Sequence, residues 1–223
     1  AIKATSYNTQ YTGYSDGRLS NFADHIRGIG ADIAGLQECQ DPNGIAAASG
    51  YTLLAASGWG NTVLYKGSRL QALSGGNMNI PRDDFSTRNI SWGKFRIIRT
   101  DSEFWFFNTH LPHRHKQAAD PNTHAIIAKM LLQKRKELGA GNSPTIVTGD
   151  CNPFASDGAS QGSFEDNLAS SGIAKVYEAR GNTGGHVGLD KIFASQAHWT
   201  WFNAADVGTG SSDHPAIAAD LTF

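Results

Sequence analysis

The first 38 residues read as strand, helix, strand, and both strands finish in polar residues. "IKATSYN" (2–8) alternates as an opening strand and delivers Asn8 to its end. Leu19, Phe22, Ile26 and Ile29 follow at spacings of 3, 4 and 3, one face of a helix that Gly28 and Gly30 close. "ADIAGLQE" (31–38) is then a buried strand ending at Glu38.

The rest of the chain continues in short apolar runs. "DPNGIAAASG" reads as a turn and a short helix, and "YTLLAA", "NTVLYK" and "RLQAL" as short strands punctuated by Gly and Ser. "STRNISWGKFRIIRT" and "EFWFFNTHL" predict two long strands joined by a turn near Asp101 and Ser102. The clearest helix is "NTHAIIAKMLLQKRKELGAG". Ile127, Met130, Leu131 and Leu138 lie on one side, the basic residues 134–136 form a terminal charge cluster, and Gly139 stops it. "SPTIVTGD", "GLDKIFAS", "HWTWFNA" and "HPAIAADLTF" supply the last strands. Many strands with few interspersed helices predict an α+β layered sandwich rather than a parallel α/β wheel. At 223 residues without a linker, one domain spanning 1–223 is expected, large enough for a core without staples.

Nineteen Lys and Arg against twenty Asp and Glu exclude a protein that holds nucleic acid by bulk charge alone, leaving only a locally basic groove. No apolar run reaches the roughly 18 residues of a membrane span. The chain opens directly on a strand, without Met or a signal-like segment, which reads as a mature, secreted form. No protein partner is evident.

Polar residues sit at strand ends where a structural strand does not need them: Asn8, Glu38, Asn108 to His110, and Asp150 with Asn152. Asp190 opens the apolar run of "LDKIF", and Asp213 and His214 precede the final strand. Singly, each is an ordinary turn or cap residue. Together, carboxylates and amide oxygens suit a hard cation such as Mg²⁺, Mn²⁺ or Ca²⁺, and histidines beside them suit proton transfer.

The motifs "SYN", "LQE", "NTH", "GDCN", "LDKIF" and "SDH", in this order from residue 6 to 214, resemble the endonuclease/exonuclease/phosphatase family, to which pancreatic deoxyribonuclease belongs. The resemblance implies a four-layer α/β sandwich, two mixed β-sheets face to face with helices on the outside. It implies a divalent metal, Mg²⁺ first, with Glu38 as principal ligand and Asn8 and Asp213 beside it. Asp150 and Asn152 would orient the attacking water and hold a phosphate oxygen. His214, polarised by a carboxylate, would be the general base or a phosphate-contacting cation. His110 and Asp190 would form an acid–orienter pair. Arg88 of "STRNISW" is a candidate phosphate contact, an equally good reading being a structural surface arginine.

"THLPHRHK" adds His113 and Arg114 as candidate substrate contacts, while His186 falls on a turn that borders the expected cleft. Cys151 departs from the family pattern, and Cys39 directly follows Glu38. By strand alternation both side chains turn away from the substrate. Two readings stand: two small buried hydrophobes, or a Cys39–Cys151 disulfide beneath the site, worth about 4–5 kcal/mol in the chain-entropy model and favouring export.

The resemblance implies hydrolysis of P–O bonds. A nuclease acting on DNA is the first expectation, carried by His110, Asp190 and the basic run Arg88, Lys94, Arg96 and Arg99. The alternative is a phosphatase or phosphodiesterase for small phosphate esters or lipid headgroups. A non-catalytic, toxin-like or effector binding protein on the same scaffold predicts a damaged metal centre, and here every expected ligand is present.

Overall fold

The protein is described by a computed structural model covering residues 1–57, 59–113, 120–154, 157–181 and 186–223. The opening strand–helix–strand is β1 (Ile2–Asn8), α1 (Leu19–Ile29) and β2 (Ile33–Gln37), with β1 and β2 paired in parallel. A helix α2 (Pro42–Ser49), with Asp41 capping its first turn, leads to β3 (Thr52–Ser57) and β4 (Asn61–Tyr65). Next come three long strands, β5 (Leu70–Ile80), β6 (Arg88–Ile97) and β7 (Glu103–His110). α3 (Thr123–Glu137) crosses to β8 (Thr145–Asp150), which lies parallel to β7. α4 (Phe164–Ala169), β9 (Ile173–Glu178), β10 (Asp190–Ser195), β11 (Thr200–Asp206) and β12 (Ile217–Thr222) complete the chain.

These strands form two mixed six-stranded sheets, in the orders β11-β12-β1-β2-β4-β3 and β5-β6-β7-β8-β10-β9. Residues from both sheets, among them Ile2, Ile33, Phe104, Phe106, Ile146 and Ile217, form one apolar layer between them. α1 and α2 cover the outer face of the first sheet through Phe22, Ile26 and Ile45, and α3 and α4 cover the second through Ile127, Leu131, Phe164 and Leu168. The four-layer α/β sandwich expected from the sequence is the observed fold. Among the described residues no helix is long and apolar enough to cross a membrane.

Three local expectations change. β5 runs on through Gly75 and Gly76, which read as a break in the sequence. A Cβ there would meet Leu54 at 3.1 Å and Trp92 at 2.8 Å, so close packing rather than a turn accounts for the glycines. α4 and β9 were not expected, although Ser163 and Asp166 form the capping box that starts α4. Arg135 does not belong to a solvated charge cluster; it is buried, donating to Thr145 Oγ1 and the Ser143 carbonyl, both at 2.9 Å.

Strand direction then positions the site. β1, β2, β7 and β8 bring Asn8, Gln37, His110 and Asp150 to their carboxyl ends, paired Asn8 with Gln37 and His110 with Asp150. β10 runs antiparallel to β8 and β12 antiparallel to β1, so the residues that open them, Asp190 and the His214 turn, reach the same edge. Just below this edge the inter-sheet layer turns polar. Asn108 Nδ2 donates to the Leu36 carbonyl at 2.8 Å, and its Oδ1 accepts from Gln37 Nε2 at 2.8 Å and Thr148 Oγ1 at 2.9 Å. Asn108 therefore ties the two sheets together beneath the site.

Candidate active site

At that edge a cleft of about 350 Å³ is lined by Glu38, Arg88, His110, Asp150, Asn152, Asp213 and His214, with Trp59, Phe85, His113, Pro153, His186 and Leu189 completing its walls. The alternation of each strand explains the convergence. Asp150 lies two and four residues beyond Thr148 and Ile146, on the inner face of β8, while Val147 and Cys151 face the outer helices.

Asn8 bridges the two sheets. Its Nδ2 donates to Glu38 Oε2 at 2.5 Å and to Asp150 Oδ2 at 2.9 Å, and its Oδ1 accepts from the Gln10 amide at 2.9 Å. Glu38 and Gln10 hold left-handed backbone, at φ 54° and 55°, and Asn152 does so at 40°. Such residues cost on the order of 1–3 kcal/mol each, and three of them surround this one edge. Asn152 is fixed by its own amide on Asp150 Oδ1 at 3.0 Å and by Nδ2 on the Leu111 carbonyl at 2.8 Å.

Two imidazoles face Asp150 Oδ2, His110 through Nε2 at 3.3 Å and His214 through Nε2 at 3.7 Å. Their far nitrogens meet opposite charges. His214 Nδ1 donates to Asp190 Oδ2 at 2.8 Å. His110 Nδ1 lies 2.7 Å from Arg88 Nη1; arginine only donates, so Nδ1 accepts and the ring proton sits on Nε2. Asp190 is buried with its Oδ1 lacking a hydrogen-bond partner among the described residues. Burial pushes the Asp190 carboxyl up to about 7 against the pull of the His214 bond. Burial alone would lower His214, but Asp150 and Asp190 together push it up to about 10, so the proton of this pair belongs to the imidazole. Asp150 is itself held well below the usual carboxylate range; burial opposes this, and His110, His214 and Asn8 outweigh it.

The expected His110–Asp190 pair is not formed. β8 lies between β7 and β10, so Asp150 separates the two residues, and Asp190 orients His214 instead. Arg88 lines the cleft, yet its Nε and Nη2 are spent on Asp83 Oδ2 at 3.2 and 2.7 Å. It is a buried buttress rather than a surface residue, with 4% of its side chain exposed. Lys94 and Arg96, from the same basic run, pair with Glu103 on β7.

Cys39 and Cys151 are free thiols. Both turn away from the cleft as expected, but they belong to different sheets. Outward from each sheet means opposite directions, so Cys39 packs in the α1–α2 layer and Cys151 in the α3–α4 layer. Burial pushes Cys39 up to about 11 and raises Cys151 further. A disulfide beneath the site is therefore ruled out as a brace.

Glu38, Asp150 and His214 each offer a ligand atom within 4.8 Å of one another, and His186, Asp213 and His214 form a second such group. Asp213, expected beside Glu38, thus sits with His186, whose Nε2 is 3.5 Å from its Oδ2 and whose ring stacks on His214 at 4.2 Å. Two carboxylates sharing one amide donor, with no lysine or arginine on either among the described residues, fit a hard divalent cation. His113 lines the cleft, and Arg114 lies outside the described residues. Sequence reasoning missed Trp59, Phe85 and above all Asp83. The signal for Asp83 was present in "DDFSTR", an aspartate whose side chain accepts amides two and three residues on.

No family model and no curated protein matches the chain in sequence. Solved structures do match in fold. The mannosyl-6-phosphatase of Bacteroides thetaiotaomicron VPI-5482 superposes with a TM-score of 0.79 over 100% of both chains at 20% identity. An endonuclease/exonuclease/phosphatase from Bacteroides vulgatus gives 0.79 over 100% of this chain and 98% of that one at 18% identity. D. rerio TDP2 complexed with single strand DNA product gives 0.68 over 100% and 99% at 16% identity.

Proposed function

From a fold shared with endonuclease/exonuclease/phosphatase proteins, we propose that this chain is a divalent-metal-dependent phosphoesterase acting on compact phosphate esters. The observation that carries the reading is the convergence of Glu38, Asp150 and the Asp190-backed His214 on one point of the cleft. Glu38 and Asp150 would hold the cation, with Asn8 beside them. Bound there, a divalent ion such as Mg²⁺ supplies Lewis-acid neutralisation of phosphate charge.

The chain's own groups do the rest. His214 commits Nδ1–H to Asp190 and presents Nε2 to the cleft, where a proton meets a phosphate oxygen and stabilises its developing charge. Asp150, kept ionised, orients an attacking water. Asn152, clamped by Asp150 and Leu111, would help orient that water with its amide oxygen. His110, with Nδ1 held by Arg88, donates from Nε2 and fixes Asp150.

Compactness of the substrate follows from charge. Among the described residues lining the cleft, Arg88 is the one Arg or Lys, and Asp83 occupies its fork. Lys94 and Arg96 of the basic run that favoured DNA pair with Glu103, and of that run Arg88 is the member that lines the cleft. Of the structural neighbours, one is a mannosyl-6-phosphatase and another is complexed with a single strand DNA product, so both ester classes belong in the test. Supercoiled plasmid, a simple phosphodiester and a simple phosphomonoester should each be assayed with Mg²⁺, Mn²⁺, Ca²⁺ and EDTA, with His214→Ala alongside. Metal-dependent release from a small ester, lost in the variant, is expected; fast plasmid nicking with inert small esters would make the protein a nuclease.

A further inference from the structure

Two aromatic pairs stand at the rim of the cleft, one from each sheet. Trp59, in the β3–β4 connection, stacks on Tyr11 with ring centroids 4.5 Å apart and planes 8° from parallel. It lines the cleft beside Glu38, whose Oε1 accepts from the Tyr11 amide at 3.3 Å. Phe85, in the β5–β6 connection, meets His113 edge-on at 6.0 Å and 90°, and both line the cleft. Neither Trp59 nor Phe85 has a part in the hydrolytic chemistry. Phe85 nevertheless keeps 59% of its surface in solvent, where an apolar ring gains nothing for folding.

The backbone that carries each ring is fixed from behind. Asp83 Oδ1 accepts the Phe85 and Ser86 amides at 3.0 and 3.1 Å, and Asp83 Oδ2 accepts the His113 amide at 2.8 Å. One buried carboxylate thus holds both members of the Phe85–His113 pair. Trp59 is held through Gly60, whose carbonyl accepts the Cys39 amide at 2.9 Å. Gly60 has φ 78°, and a Cβ there would lie 2.3 Å from Cys39 N, so the loop is pressed onto the strand end that carries Glu38. Rings carried on backbone anchored in this way, and lining the cleft, are placed to meet a ligand.

Resting on the phosphoesterase reading, we infer that these rings form the subsite for the alcohol part of the ester, and that this alcohol carries a ring with a flat face. The carboxylate–imidazole cluster takes the phosphate. Trp59 and Phe85 take the ring by stacking, which needs a planar or flat-faced partner but no particular hydrogen-bond pattern. A nucleoside and a hexose both present such a face, and an open-chain alcohol such as glycerol does not.

The test compares nucleoside, hexose and glycerol esters of whichever class, monoester or diester, the wild-type protein hydrolyses. The wild type should favour at least one ring-bearing ester over the glycerol ester by about tenfold in kcat/KM. Phe85→Ala and Trp59→Ala should each reduce that ratio by roughly five- to tenfold, chiefly through KM, as lost stacking does. Phe85→Leu and Trp59→Leu keep apolar bulk and should show the same loss, which separates stacking from a collapsed loop. The nucleoside and hexose arms identify the ring. A ratio within about twofold of wild type in all four variants, or a wild type that prefers glycerol, overturns the subsite while leaving the phosphoesterase intact. A wild type that hydrolyses no ester instead sinks the parent reading. Tryptophan fluorescence then decides the subsite alone: saturable quenching by a nucleoside monophosphate or hexose phosphate, lost in Trp59→Phe, supports it, and no quenching with either overturns it.

Discussion

His110 and His214 aim their Nε2 atoms at the same oxygen, Asp150 Oδ2, from 3.3 and 3.7 Å, yet one is backed by Arg88 and the other by Asp190. The backing separates their work. A cation behind His110 makes its Nδ1 an acceptor and leaves Nε2–H as a fixed donor; an anion behind His214 favours a proton on that ring. Replacing Asp190 with Asn keeps the shape and removes the anion. Asp190→Asn should lower kcat by about 100-fold or more while circular dichroism stays native. A kcat within threefold of wild type contradicts the assignment.

Arg88 and Asp83 are a buried ion pair with 4% and 0% of their side chains exposed. Removing one partner strands the other, a loss of about 3–5 kcal/mol. Arg88→Met should therefore destabilise the fold strongly, and Arg88→Met with Asp83→Asn should recover much of that stability in urea unfolding. Activity should not recover, because His110 Nδ1 still lacks its donor. A double variant that regains full activity would reduce Arg88 to a structural role.

Asp83 also predicts a pH dependence. Burial alone would raise it, but the His113 amide and the Arg88 guanidinium hold it below the usual carboxylate range. A depressed folded-state pKa stabilises the native state above the unfolded value near 4, and this is lost as pH falls through the folded one. The stability gap between wild type and Asp83→Asn should be flat above about pH 5 and shrink below about pH 4. A gap that widens on acidification contradicts this.

The two thiols are free and buried in separate layers. A thiol titration should find both only after denaturation, and dithiothreitol should leave the melting temperature within about 1 °C. Cys151→Ala should cost about 1–2 kcal/mol through packing, with activity retained in the folded fraction. A melting temperature that drops on reduction would restore the disulfide.

Much of this was legible in the chain. Asn8, Glu38, His110, Asp150, Asp190 and His214 stand at strand ends, and strand direction alone carries them to one edge. What the sequence hid was which residue faces which. The His110–Asp190 pairing failed because a third strand, β8, separates them, and strand order is a tertiary property. The disulfide failed although both side-chain directions were right, because direction along a strand does not say which sheet the strand joins. Asp83 left a local turn signature in "DDFSTR", but its pairing with Arg88 and with the His113 amide is tertiary, and Trp59 acts through packing that leaves no residue-type signature.

The proposed chemistry depends on Glu38 and Asp150 holding a divalent cation. The most direct test is calorimetric titration of EDTA-stripped protein with Mn²⁺, comparing wild type with Glu38→Gln. Saturable binding by the wild type is expected, weakened by about 50-fold or more in the variant while its melting temperature stays close to wild type. Equal affinity in the two proteins, or no binding by the wild type, would contradict it.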